Sequence, residues 1–236
     1  MKPIEKIINR YTWLYAKDED SVDGCEVNTH PFNWNWWSQD NRLQNVLEIK
    51  KSGFYVDRAC GFHIHLSKVW FSRQHRIRMA KLFYANPGFI ERISQRRKAR
   101  SRKDWTLFKN AANPWLLDEM KRCSTGKDLE FLEGRDFNDP EMCRRIVDNV
   151  YEERHVALNF CNKNTIEVRI FQSTLNKGLI QAYLEFALAS SLYTRQVRFE
   201  DVSVSGLKRY VKQNATRFPH LHCSRLLSSC LYTWQS

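Results

Sequence analysis

The sequence predicts an α+β domain that is built on a mainly antiparallel sheet. Strand-like and helix-like segments mix along the chain without the regular strand–helix–strand order of a parallel sheet. Residues 155–162 and 165–172 read as two strands joined by a short turn near Lys163, as in an antiparallel hairpin. The 236 residues are 42% hydrophobic and 13% aromatic, which is enough apolar material for a buried core. We expect a single domain over 1–236, although this length also fits two small ones.

The first half of the chain alternates strand and helix signals. Residues 17–24 form an acidic turn, and the strand at 25–32 is stopped by a proline. The spacing of apolar residues predicts a helix over 34–53, with Gly53 as its stop signal. Short strands follow at 54–57 and 61–67, and then a helix that stops at Asn86, Pro87 and Gly88.

The second half carries the clearest helix. Residues 165–172 alternate Ile166, Val168 and Ile170 with Glu167 and Arg169, as a half-buried strand does. An apolar stripe predicts a strong helix over 176–196. A helical tail is expected over about 205–236, with one helix after Ser205 and another after Pro219.

The charge of the chain favours a polyanionic partner. The formal net charge is +12, which suits nucleic acid, nucleotide phosphates or an anionic membrane surface, while solubility alone is the other explanation. Residues 92–103 hold seven basic residues among twelve, and we expect a basic loop or lid at about 92–104. The candidate phosphate or nucleic-acid contacts are Arg96, Arg97, Lys98, Arg100, Arg102 and Lys103.

The cysteines and the hydropathy pattern point to a reducing compartment. The seven cysteines include no CxxC pair, and the N-terminus has no apolar signal-peptide core. No apolar run approaches the roughly 18 residues of a membrane span. We therefore expect reduced thiols in a cytoplasmic protein that makes no contact with a membrane.

Three short stretches carry residues that suit a metal and phosphate site. On the strand at 61–67, His63, His65 and Ser67 share one face, where they could bind a metal or phosphate or could be ordinary exposed side chains. Glu167 and Arg169 likewise share a face, which fits a metal ligand beside an anion-binding guanidinium, or an exposed ion pair. The third stretch, 23–30, offers a further carboxylate or simply a charged turn.

Taken in order, these stretches resemble the phage and bacterial amidoligase family, which are carboxylate–amine ligases of the glutamine-synthetase-like fold. The matching segments are "DGCEVNTHP" (23–31), "CGFHIHLS" (60–67) and "RHVALNFCNKNTIEVRIFQSTLN" (154–176). The resemblance implies a glutamine-synthetase-like curved, mainly antiparallel sheet with packed helices. It also implies an ATP-dependent ligase that uses Mg²⁺ or Mn²⁺ and joins a small-molecule or peptide carboxylate to an amine through an acyl phosphate. If the chain is phage-encoded, its compartment would be the host cytoplasm.

The resemblance also implies a role for each motif residue. Glu26, His63 and Glu167 would be metal ligands, and Asn159 would orient the substrate or a ligand. His65 and Ser67 would contact ATP phosphate. Arg169, with Glu167, would belong to the catalytic set, with Arg154 as a second cation. A mixed zinc site of His220, His222 and Cys223 with Cys60 and His63 is an alternative that matches no common zinc framework.

One departure from the family pattern affects the expected activity. Members open with a strand that carries E-x-E, and no such strand is visible in residues 1–20. Three explanations stay open: a degenerate or truncated member, a partner chain that supplies the strand, or ligands recruited elsewhere, such as Asp18, Glu19 or Asp20. The alternative function is a catalytically degenerate relative that acts as a basic nucleic-acid-binding or protein-complex subunit.

Overall fold

The computed structural model describes residue 8 and residues 12–19, 24–38, 44–56, 60–95, 140–147 and 157–227. The chain divides into two compact units, one of residues 1–56 with 175–177 and one of 57–174 with 178–236. Helices and small antiparallel sheets make up the described residues, which confirms the predicted α+β class. The single domain over 1–236 stays a prediction.

The first unit contains a two-stranded antiparallel sheet. Strand β1 (Leu14–Glu19) pairs with β2 (Gly24–Thr29), and Lys17 lies opposite Glu26. The sequence predicted a turn from residue 17 onwards, which is wrong for 17–19 because these residues are part of β1 and pair with residues 24–26 of β2.

The first unit also contains two short helices and an aromatic cluster. The helices are α1 (Trp34–Ser38) and α2 (Gln44–Lys51). Trp13 meets Trp36 and Trp37 edge to face, at centroid distances of 5.9 and 6.0 Å. Beyond α2, Gly53 has a φ of 86°, a left-handed conformation that glycine adopts without strain, so it ends the helix as predicted. Residues 54–56 form no strand, contrary to the prediction for 54–57.

The second unit contains a three-stranded antiparallel sheet. Its strands are β3 (Gly61–Ser67), β4 (Leu158–Asn159) and β5 (Thr165–Gln172), in the order β3-β5-β4. The predicted hairpin is formed, because β4 and β5 are antiparallel neighbours. Strand β5 is therefore central, and its side chains have neighbours on both sides.

The helices that the structure describes in this unit lie between the sheet strands and after them in the chain. They are α3 (Arg73–Tyr84), α4 (Pro87–Ile93), α5 (Pro140–Val147), α6 (Lys177–Gln196), α7 (Val204–Gln213) and α8 (Pro219–Cys223). Ser72 caps α3, since its hydroxyl accepts a hydrogen bond from the His75 amide. Pro87 does not only end α3 as predicted: it begins α4, where its fixed φ suits the first helical turn.

The core lies between one face of this sheet and the helices. Ile64, Ile166 and Val168 are buried on that face, and they belong to the same cluster as side chains of α3 and α6. Phe171 stacks on Tyr183 of α6 with ring centroids 4.1 Å apart. Packing against the helices therefore explains why one set of alternating positions in β3 and β5 is apolar.

A β-bulge interrupts the pairing of β3 with β5. Phe62 pairs with Phe171 and Ile64 with Val168, so that Arg169 and Ile170 together face the single residue His63. The predicted alternation of β5 ends at this point. Beyond Ile170, Phe171 is also fully buried.

Candidate active site

A row of three polar side chains crosses the sheet of the second unit. His65 on β3 lies directly opposite Glu167 on β5, and Asn159 on β4 lies opposite Glu167 on the other side. Directly opposed residues of antiparallel strands share a face of the sheet. The strand register therefore brings together residues that are about 100 positions apart in the chain.

The carboxylate of Glu167 is the centre of this row. Its Oε1 atom lies 2.6 Å from Arg169 Nη1, 3.2 Å from His63 Nδ1 and 3.8 Å from His65 Nε2. Its Oε2 atom accepts hydrogen bonds from the side-chain amides of Asn159 at 2.9 Å and Asn162 at 3.2 Å. Arg169 also takes part in this geometry, because it faces His63 where the bulge begins.

The charges around Glu167 keep it ionised. The side chain is 5% exposed, and this burial by itself raises the pKa of the carboxyl group. The guanidinium of Arg169, the imidazole of His63 and the Asn159 amide oppose that effect, and the net result is a pKa below the ordinary value. The site therefore holds a buried negative charge beside a cation.

The β4–β5 turn is fastened to the rest of the unit. The Asn159 side-chain oxygen accepts a hydrogen bond of 2.8 Å from the Cys161 amide. Lys68, which follows β3, donates its main-chain N–H to Asn164 O at 2.9 Å and its Nζ to Phe160 O. These bonds fix the loop that presents both asparagines.

His65 and Ser67 lie on the more exposed part of the same strand face. The Nδ1 atom of His65 is 3.0 Å from Thr165 Oγ1, which orients the ring. The His65 side chain is 51% exposed, and Ser67 at the end of β3 is exposed as well. Both side chains are accessible to a ligand, as their predicted contact with phosphate requires.

His63 and Glu167 have the chemistry of part of a metal site. Their donor atoms are 3.2 Å apart, close to the separation of two adjacent ligands of one ion with bonds of about 2.1 Å. Imidazole nitrogen and carboxylate oxygen together suit Mn²⁺, and the carboxylate also suits Mg²⁺. In the part of the chain that is described, no group of three or more His, Cys, Asp and Glu side chains is arranged to hold a metal ion. The pair therefore fits an ion only together with oxygen ligands from elsewhere.

The remaining predicted site residues are Glu26, Arg154, the basic residues of 96–103 and the residues of the alternative zinc site. Glu26 belongs to the first unit, where it is half-buried on β2, and its role as a metal ligand stays a prediction. Arg154 and the basic residues of 96–103 lie outside the described residues. His220 Nδ1 is 2.8 Å from the buried Glu185 Oε1, so that this imidazole nitrogen already has a partner in the fold.

Sequence reasoning missed two residues that contact or support the site. Asn162 stands in the "CNKN" turn, where asparagine is an ordinary turn residue, and its bond to Glu167 depends on the folded hairpin. Lys68 carries no pattern in the sequence that marks it, yet it holds the turn through two hydrogen bonds. The only sequence signal for Asn162 was its distance of five residues from Glu167 across a short hairpin.

The fold and this site define the class of protein: an α+β protein whose sheet carries a buried glutamate paired with a half-buried arginine and flanked by histidines. A family model described as "Putative amidoligase enzyme" matches residues 10–191. The chain therefore belongs to the amidoligase family, as its motifs predicted. No curated protein and no solved structure matches it. Among the described residues, no helix is long and apolar enough to cross a membrane.

Proposed function

We propose that this chain is an ATP-dependent ligase that forms an amide bond between a carboxylate and an amine. In this reaction the carboxylate attacks the γ-phosphorus of ATP, ADP leaves, and the amine then displaces phosphate from the acyl phosphate. Membership of the amidoligase family supports a ligase activity. The substrates are proposed by resemblance to be amino acids, peptides or cell-wall fragments.

One observation carries the proposal: the ionised Glu167 holds Arg169 by a contact of 2.6 Å between Oε1 and Nη1. The anchored guanidinium retains other N–H donors, and its side chain is 24% exposed. A guanidinium with a fixed orientation can bind two oxygens of a phosphoryl group and stabilise the charge that develops during its transfer. Arg169 is thus proposed to contact ATP phosphate and the acyl phosphate, with Arg154 as a second cation.

The other motif residues are assigned around Arg169. His65 and Ser67 would donate hydrogen bonds to phosphate oxygens, and Thr165 would keep the His65 ring in the required orientation. His63 and Glu167, with Glu26, would hold Mg²⁺ or Mn²⁺. Such an ion, when bound, neutralises phosphate charge and aligns the reacting groups.

The test uses the purified full chain with ATP, Mg²⁺ or Mn²⁺, and panels of carboxylates and amines. ADP release that requires a carboxylate, and hydroxamate formation when hydroxylamine replaces the amine, would support an acyl phosphate. Glu167→Gln should abolish both signals, whereas Glu200→Gln, at a side chain that is 63% exposed, should leave them unchanged. The proposal fails if the wild type shows no nucleotide binding with any metal and no turnover across the panels.

A second proposal follows from the net charge of +12 and the basic segment 92–103: a subunit that binds nucleic acid. Its affinity for DNA or RNA should fall steeply as salt rises, because each neutralised phosphate releases counterions. Neutralising the basic residues of 96–103 should remove most of the binding. Absence of binding at modest salt would exclude this function.

A further inference from the structure

The two oxygens of the Glu167 carboxylate have different surroundings. Oε1 faces the three cationic or titratable side chains of the site, with His63 and Arg169 nearest. Among the described residues, Oε2 contacts the side-chain amides of Asn159 and Asn162, at 2.9 and 3.2 Å. A carboxylate oxygen has two lone-pair directions, so two N–H donors satisfy Oε2.

The orientation of these amides is set by the hairpin itself. The Asn159 Oδ1 atom accepts the Cys161 N–H at 2.8 Å, which leaves its Nδ2 to face Glu167. Asn162 stands in the turn that Lys68 holds from both sides, through Asn164 O and Phe160 O. Rotation of the Glu167 carboxylate would break both amide contacts at once.

We infer that Asn162, together with Asn159, is a positioning residue that confines Glu167 to a single working oxygen, Oε1. The amides keep Oε2 out of the reaction and direct Oε1 toward His63, His65 and Arg169. The arrangement itself is a property of the fold, whereas its effect on catalysis rests on the proposed ligase function. It follows that Glu167 acts through one oxygen in any complex with a ligand or an ion.

The variants that test this inference are Asn162→Ala, which removes the donor, and Asn162→Asp, which also places a second carboxylate near Oε2. The matched control is Asn164→Ala, since Asn164 is exposed in the same turn and contributes its main-chain oxygen to Lys68. Backbone amide NMR spectra establish that each variant is folded. The imidazole ¹⁵N signals of His63 and His65 then report the position of Oε1 without any need for turnover.

Both Asn162 variants should move the imidazole signals, and Asn162→Asp should move them further, while Asn164→Ala leaves them as in the wild type. In the ligase assay kcat should fall about 10- to 100-fold with little change in KM for ATP. Imidazole signals that match the wild type in both folded Asn162 variants would overturn the inference. If the signals move but the wild type has no ligase activity, the positioning role stands and the proposed function fails.

Discussion

The Tyr84 hydroxyl bonds both main-chain groups of Leu158: it donates to the carbonyl oxygen and accepts from the amide, each at 3.2 Å. Leu158 is on β4. Its neighbour Ala157 accepts a hydrogen bond from the Arg169 amide of β5, and its other neighbour Asn159 pairs with Glu167 of β5. Burial raises the pKa of the Tyr84 hydroxyl, which therefore keeps its proton as a donor. A phenol on α3 thus completes the outer edge of the strand that carries Asn159.

Tyr84→Phe should destabilise the protein by about 2 kcal/mol, because a buried N–H and a buried C=O lose their partner while the ring packing remains. Urea unfolding monitored by circular dichroism measures this change. Tyr55→Phe is the control, since Tyr55 is 85% exposed and should stay within about 0.5 kcal/mol of the wild type. Equal changes in the free energy of unfolding for Tyr84→Phe and Tyr55→Phe would show that the Tyr84 hydroxyl does not stabilise β4.

Gly206→Ala should be destabilising by about 1–3 kcal/mol, because a Cβ at this position would collide with the Tyr193 hydroxyl. That hydroxyl joins Asp201 O to the Ser203 amide at the start of α7, so its displacement costs hydrogen bonds as well. Gly88→Ala has open space, with the nearest atom 3.8 Å away, and should be neutral or stabilising as expected in a helix. Thermal unfolding of the two variants gives the comparison.

Removing the carboxylate of Glu185 should loosen α8. This buried group accepts hydrogen bonds from the Leu221 amide at 2.7 Å and from His220, and thereby holds the first turn of α8 against α6. Glu185→Ala should cost about 1–3 kcal/mol and increase hydrogen exchange at residues 219–224. If Glu185→Ala leaves the exchange of residues 219–224 at the wild-type rate, the carboxylate does not anchor α8.

The stability of the fold should depend on pH through His75. The pKa of this imidazole is lowered, and burial is the largest cause. The hydrogen bond of the ring to Ser191 O at 2.8 Å acts in the opposite direction but does not outweigh it. Between that lowered value and the ordinary value of about 6.5, the unfolded chain binds a proton that the folded chain does not. The free energy of unfolding should therefore fall as pH decreases through this window.

His75→Gln tests the effect, since glutamine does not titrate and can still donate to Ser191 O. From about pH 7.5 to about pH 5.5 the variant should lose less stability than the wild type. His222→Gln, at an exposed position, should behave as the wild type. Parallel pH profiles for wild type and His75→Gln would assign the pH dependence to other groups.

Arg169→Lys distinguishes a fixed guanidinium from a simple positive charge. Lysine keeps the charge but cannot hold Glu167 and bind a phosphoryl group with one planar fork. In the ligase assay Arg169→Ala should lose about 10²-fold in kcat, and Arg169→Lys should recover only part of it. Arg217→Lys is the surface control. Full activity of Arg169→Lys would remove the need for the guanidinium geometry.

The sequence was sufficient for the parts of the fold that rest on local periodicity. The alternation of 61–67 and 165–172 identified both long strands of the second unit, and the apolar stripe of 176–196 identified α6. The side chains of His63, His65, Glu167 and Arg169 were chosen on motif and face alone, and the register brings them together.

What the sequence did not reveal depends on contacts between distant residues. Asn162 and Lys68 follow no periodic pattern, since each makes its bond only after the hairpin and β3 have come together. The bulge was also hidden, because alternation predicts one face for Ile170 and the other for Phe171, and both are buried. Both side chains are buried because the bulge interrupts the regular alternation of faces between Ile170 and Phe171.

Because of the bulge between Phe62 and Ile64, the number of residues in β5 matters as much as their identity. Deleting Ile170 would restore an uninterrupted ladder, in which Arg169 pairs with His63 and Phe171 with Phe62. It would also remove a buried side chain from the core and the local bend that a bulge gives to a strand. A natural relative with a one-residue gap at this point would therefore need other side chains to fill the core, whereas one with an apolar substitution there would not.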